Sequence, residues 1–131
     1  MNLSPFFFNN KGAAALLTVL IIGAAALIMA VSASFLSIGE LDLGYTSQKG
    51  GEAFALADGC MEDALRHLRL DGAYAGGTLN VGSNSCILSI NPSGGNKIVN
   101  VRSTVGDYNK EIEVNLTLSG NIITINSWIQ K

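Results

Sequence analysis

The sequence predicts an α+β fold: a long N-terminal α-helix, transmembrane over its first half, with a four-stranded antiparallel β-meander packed on its second half. Three observations predict it. No charged side chain lies between Lys11 and Glu40. Apolar residues keep helical spacing from there to about Leu70. From Thr78 onward the apolar period changes from helical to alternating.

The apolar stretch sets the placement of everything after it. At ~1.5 Å per residue, the helix from Ala13 to Ile38 is about 39 Å long, enough to cross a bilayer. Lys11 is the one cation before the run, and Glu40 and Asp42 are the first charges after it, which predicts a cytoplasmic N-terminus and an extracytoplasmic C-terminal domain. Gly23, Ala26, Ala30 and Ser34 form a stripe of small residues at helical spacing, suited to close helix packing, although alanine is also simply common in such helices. Two readings need only this segment: an uncleaved anchor, or a secretory signal peptide with small residues for cleavage at Ala30–Ser34. Against the second, Phe35, Leu36 and Ile38 prolong the apolar run without a helix breaker before Gly39.

The next segment, Gly39–Gly51, contains Gly39, Gly44, Gly50 and Gly51, each of which weakens a helix by ~1 kcal/mol relative to alanine, so the helix from about Ala13 to Leu70 is expected to be locally melted or bent near Gly44–Gly51. Leu36, Leu43, Phe54, Ala57, Met61, Leu65 and Leu68 nevertheless share one helical face. Acids come early (Glu52, Asp58) and bases late (Arg66, Arg69) in the second half, in the order the helix dipole favours. Glu62 and Arg66 have the spacing of a surface ion pair, and Asp71-Gly72 is read as the stop, with glycine available for a left-handed cap.

The C-terminal region alternates. Cys86, Leu88 and Ile90 define the first strong strand, Asn91–Asn96 a turn holding Pro92, then Val99, Val101, Ser103 and Val105 a second strand. A Gly106-Asp107 turn leads to Ile112, Val114, Leu116 and Leu118, and Ser119–Asn121 turns into the last strand, Ile122–Ile129. Thr78–Val81 is available as a fifth, edge strand. Trp128 is read as capping the core. The apolar face of this sheet can be covered only by the helix after Gly51, and Gly59 on that helix is read as permitting a close approach.

In an oxidising compartment the two cysteines, Cys60 on the covering helix and Cys86 on the sheet, are expected to form a disulfide, two buried thiols being the alternative. Two cysteines and the lone His67 do not make a metal site. No catalytic, cofactor-binding or metal-binding constellation is recognised, so the chain is read as a non-enzyme without a cofactor. Charged residues are 14% of the chain and the net charge is −2, with the basic residues scattered; nucleic-acid binding is not expected.

Lys11-Gly12 set against an apolar helix resembles the processing junction of type IV pilins and pseudopilins, and Ala55–Leu65 (ALADGCMEDAL) is similar to the A-E-A-G-x-E-x-A-L pattern of PilX-type minor pilins through Ala57, Gly59, Glu62, Ala64 and Leu65. The resemblance covers residues 11–70. It implies a leader over 1–12, cleavage between Gly12 and Ala13 by a prepilin peptidase, and methylation of the new N-terminus at Ala13. It further implies an assembly helix over 13–38 and a globular pilin-like domain over 39–131, helical to about 70 and sheet from about 78 to 129. Two departures are marked: Ala13 stands where the family has an aromatic residue or methionine, and Leu17 replaces the family's glutamate. That loss resembles minor or tip subunits. The implied function is a structural subunit of a type IV pilus-like or type II secretion-like envelope filament, single-pass in the inner or cytoplasmic membrane, whose partners are other pilin or pseudopilin subunits. The rival expectation is a membrane-anchored or secreted small β domain with a binding role that does not polymerise.

Overall fold

A computed structural model describes residues 10–131 of the chain. It has one helix, α1 (Asn10–Leu70), followed by five strands: β1 (Gly76–Val81), β2 (Asn84–Ser93), β3 (Asn96–Val105), β4 (Tyr108–Ser119) and β5 (Ile122–Gln130). The architecture is α+β, a long apolar N-terminal helix and an antiparallel sheet. Contacts divide the chain between Leu43 and Gly44 into two compact units.

The first unit is helix alone. Every side chain from Lys11 to Leu43 is exposed. The hydroxyls of Thr18, Ser32, Ser34 and Ser37 donate to the carbonyls of Ala14, Ile28, Ala30 and Ala33 at 2.7, 2.8, 2.9 and 3.0 Å. Each folds its proton back onto the backbone one turn earlier, which removes the polar cost of placing a hydroxyl in an apolar setting.

The second unit is built on the amphipathic part of α1. Ala53, Ala57, Cys60, Met61, Ala64 and Leu68 recur at helical spacing and are buried against the sheet. The facing layer is Cys86 and Leu88 from β2, Val99, Val101, Ser103 and Val105 from β3, and Ile112, Val114 and Leu116 from β4. The glycine-rich section does not melt: Gly39–Gly51 is helical throughout. Local side-chain bonds support its end, with Lys49 and Gln48 both donating to Glu52. Gly59 is exposed and faces open space, so it does not mediate the approach of the sheet; Ala53 and Ala57, fully buried, take that role. Arg66 is not paired with Glu62; His67 instead lies 3.5 Å from Asp63 and stacks on Tyr74.

The helix stop also differs from expectation. Gly72 has no positive φ. Asp71 closes the end instead, its Oδ1 accepting from the Ala73 amide at 2.9 Å, while Lys97 Nζ donates to the Gly72 carbonyl. A side chain at position 72 would press on Leu118, 3.1 Å from the site of a Cβ.

The sheet has five strands in the order β1-β2-β3-β4-β5, so the optional edge strand is real and longer than Thr78–Val81. Four two-residue turns join them, each opening on a glycine with φ near +60°: Gly82-Ser83, Gly94-Gly95, Gly106-Asp107 and Gly120-Asn121. No residue in the second turn position has positive φ, which is the type II′ arrangement that matches strand twist. Gly82-Ser83 is the turn signal that turns Gly76–Val81 into a strand. Pro92 lies within β2 rather than in a turn. β1 reaches only to Ser89 in its register, so Pro92 sits on an overhang where a missing N–H costs nothing. Trp128 does not cap the core; it lies on β5 opposite Val114 and is 37% exposed.

Candidate functional site

The residues singled out in the sequence fall into two arrangements, one in each unit. In the first, Lys11, Gly12 and Ala13 occupy the opening turns of α1 and are exposed. Residues 1–9 of the expected leader lie outside the described residues. Beyond the junction, Leu16, Leu17, Val19, Leu20, Ile21 and Ile22 are each at least 60% exposed. By length and composition α1 can cross a membrane, and none of its apolar window is buried within the chain. The stripe Gly23, Ala26, Ala30 and Ser34 is exposed, and a Cβ on Gly23 would meet nothing within 4 Å. An uncharged surface of this kind is a poor partner for water and a good one for lipid or for other apolar helices. Leu17, 60% exposed, brings no charge into it.

In the second unit, Cys60 and Cys86 are joined, with Cα atoms 6.5 Å apart and both residues buried. The bond ties α1 to β2 through the middle of the core, which contains Met61, Ala64, Leu88 and Val101. This is the pairing expected of two cysteines in an oxidising compartment; Cys60 lies on the buried face of the helix and Cys86 on the buried face of the sheet.

Polar groups in this unit are arranged as a solvated outer face. Arg102 pairs with Glu111 at 2.9 Å and Lys131 with Glu113 at 2.7 Å, on the side of the sheet away from α1. The hydrogen bond with Glu113 holds the Lys131 ammonium above the usual lysine range. Near the start of the unit, Lys49 Nζ lies 2.7 Å from Glu52, and that bond raises the lysine and lowers the carboxyl from their ordinary values. Tyr45 and Tyr108 meet edge to face at 6.5 Å, joining the helix to the start of β4. Among the described residues no group of three or more His, Cys, Asp or Glu side chains could hold a metal ion.

Sequence reasoning missed one feature: the incomplete cover of the sheet. Beyond β4 the helix no longer buries the inner face, and Ile125 and Trp128 are 48% and 37% exposed there. Six uncharged β-formers in the nine residues of β5 (Ile122, Ile123, Thr124, Ile125, Trp128 and Ile129) were the available signal.

The chain matches no protein-family model, no curated protein and no solved structure.

Proposed function

We propose that the protein is a minor pilin or pseudopilin-like structural subunit of an envelope filament, inserted with its N-terminus in the cytoplasm and cut after Gly12. The observation that carries this reading is α1 itself. A single helix runs from an exposed apolar half, with no partner among the described residues, into an amphipathic half that carries a disulfide-tied sheet. The exposed half serves first as a membrane anchor and then as an assembly surface. Moving such a helix from lipid into a bundle of like helices replaces one apolar contact with another, so little hydrophobic energy opposes assembly.

Leu17 refines the role. A carboxylate within hydrocarbon is expensive unless paired. A subunit at a filament end has no neighbour beyond it with which to pair, so an aliphatic residue at position 17 fits an end component better than a repeating one.

The test is the N-terminal sequence of the membrane-extracted mature protein. A start at Ala13, with or without a methyl group, supports the reading. A start near Ala33 or Phe35 identifies a secreted domain, and retention of Met1 a plain anchor; either overturns it.

A further inference from the structure

The sheet ends on β5 (Ile122–Gln130), and that edge is unprotected. Folded proteins usually blunt a free edge with charge, proline, or brevity. β5 has nine residues, no charge and no proline, and Ile122, Ile125, Trp128 and Ile129 are all exposed. The opposite edge, β1, is shorter and opens on Gly76 and Gly77, both with positive φ.

The backbone of β5 is oriented to accept another strand. Lys131 and Glu111 exchange backbone hydrogen bonds of 2.8 and 3.5 Å, which fixes the alternation along this end of the ladder. Counting back through the pairs Glu113–Ile129 and Val114–Trp128, the N–H and C=O of Trp128 and Gln130 point away from β4, to the open side.

Beside the other end of β5 lies a groove of about 450 Å³ between strand and helix. Leu65, Ile122, Ile123 and Ile125 give it an apolar lining, and Arg66 and Arg69 stand on its helical wall. Neither arginine has an ion-pair partner among the described residues, whereas Arg102, Lys49 and Lys131 all do.

We propose that β5 and this groove receive an extended segment of another protein, added as an antiparallel sixth strand, with apolar residues at alternate positions and carboxylates at its C-terminal end. Antiparallel addition brings the incoming C-terminal end to Ile122, where Arg66 and Arg69 stand. Arginine forks bind carboxylates with two parallel hydrogen bonds. Alternate apolar side chains enter the uncovered inner face beside Ile125 and Trp128. The same geometry disfavours a second copy of this strand: antiparallel β5–β5 pairing would set Lys131 against Arg66 and Arg69. The inference goes beyond filament membership and stands whether or not the helix polymerises.

The test uses the full chain in detergent micelles and a nine-residue peptide of alternating valine and threonine ending in two aspartates. Two control peptides carry terminal lysines in place of the aspartates, or a proline at the centre. Trp128, the single tryptophan, reports on the edge by its emission, and amide hydrogen exchange reads Trp128 and Gln130. The aspartate peptide should shift the emission to the blue and slow exchange at both amides, with the lysine and proline peptides binding about ten-fold more weakly or less. Arg66→Glu/Arg69→Glu should reverse the preference between aspartate and lysine peptides. Equal binding of the two charged peptides, binding without protection of β5, or no binding at millimolar peptide overturns the proposal. So does protection of β5 that grows with protein concentration in the absence of peptide, which would identify a second copy as the occupant.

Discussion

Ser103 Oγ donates to the carbonyl of Ala53 at 2.5 Å, joining the C-terminal part of β3 to the second unit's helix through a hydroxyl with no solvent exposure. Ser103 occupies an inward position between Val101 and Val105, where the strand pattern calls for an aliphatic residue. A buried hydroxyl is tolerated there because it has an acceptor, and Ala53 has no side chain beyond Cβ to keep the strand away. Ser103→Ala should lower unfolding free energy by about 1 kcal/mol, the net worth of one such bond. Ser103→Val should cost more, because its extra methyl meets the helix backbone at this close approach. Denaturant titration of both variants measures the difference; a valine variant as stable as wild type would show that the approach is not tight.

Loss of the Cys60–Cys86 bond should be the largest single effect. It closes a loop whose ends are 26 residues apart, and the chain-entropy estimate for such a loop is about 3–4 kcal/mol. Cys60→Ala/Cys86→Ala should lower the denaturation midpoint accordingly. An unchanged midpoint would mean that the helix and sheet hold without the bond. Titration of unreduced, denatured wild-type protein should find no free thiol.

Gly76 is the glycine that backbone geometry requires most strictly. Its φ is +98°, and a Cβ there would lie 2.3 Å from the Leu88 carbonyl oxygen, part of the paired backbone of β2. Gly76→Ala should destabilise by about 1–3 kcal/mol. Gly95→Ala is the control: that position has open space and no positive φ, so its effect should stay within about 0.5 kcal/mol. Equal effects would place the strain elsewhere.

The Lys49–Glu52 pair predicts a weak pH dependence with a defined sign. The hydrogen bond with Lys49 lowers the Glu52 carboxyl, so its contribution is present above the ordinary carboxylate range and is lost as pH falls through the folded value. The same bond raises Lys49, whose contribution is present below the ordinary lysine range and is lost as pH rises through its folded value. Glu52→Gln should therefore remove a small decline in stability on both the acid and the alkaline side. Melting temperatures of the two proteins should converge at the extremes and differ most near neutrality. A constant difference at all pH values would assign the effect to something other than this pair.

Under the proposed function, Leu17→Glu supplies the carboxylate that an end subunit lacks. Incorporation of tagged protein into filaments should rise and spread along their length. No change in amount or position would count against the assignment of this chain to a filament end.

The parts of the fold legible in the sequence are those set by period and local chemistry. The apolar run, the helical face through Ala57, Met61 and Leu68, and the alternation through Val99–Val105 and Ile112–Leu116 are properties of neighbours in sequence. Cys60 and Cys86 could be paired because the chain has two cysteines and an exported domain meets an oxidising compartment. The misjudged positions depend on contacts a linear pattern does not contain. Gly59 proved to be exposed because the helix face turns away at that residue. Pro92 is tolerated in β2 because β1 ends short of it. Trp128 remains half covered because the helix spans fewer strands than the sheet contains. The glycines at 39–51 lower intrinsic propensity, yet the segment is helical; in its second half Tyr45 meets Tyr108 and Gln48 and Lys49 bond Glu52, contacts that the glycine spacing does not display.

Every strand in the sheet pairs with its immediate successor through a two-residue turn. Such pairings are local, and local contacts form quickly because little chain entropy is spent in closing them. The cover of the helix is different in kind: the layer over the buried stripe on α1 is completed only by β4, whose Ile112, Val114 and Leu116 are made more than 40 residues after Leu68. A chain emerging N-terminus first therefore shows Met61 and Leu68 to its surroundings before their cover exists. Premature termination or slow export beyond Val105 should leave that helix face only partly covered, by β2 and β3, which makes the second half of α1 the segment most in need of a holding partner while the protein matures.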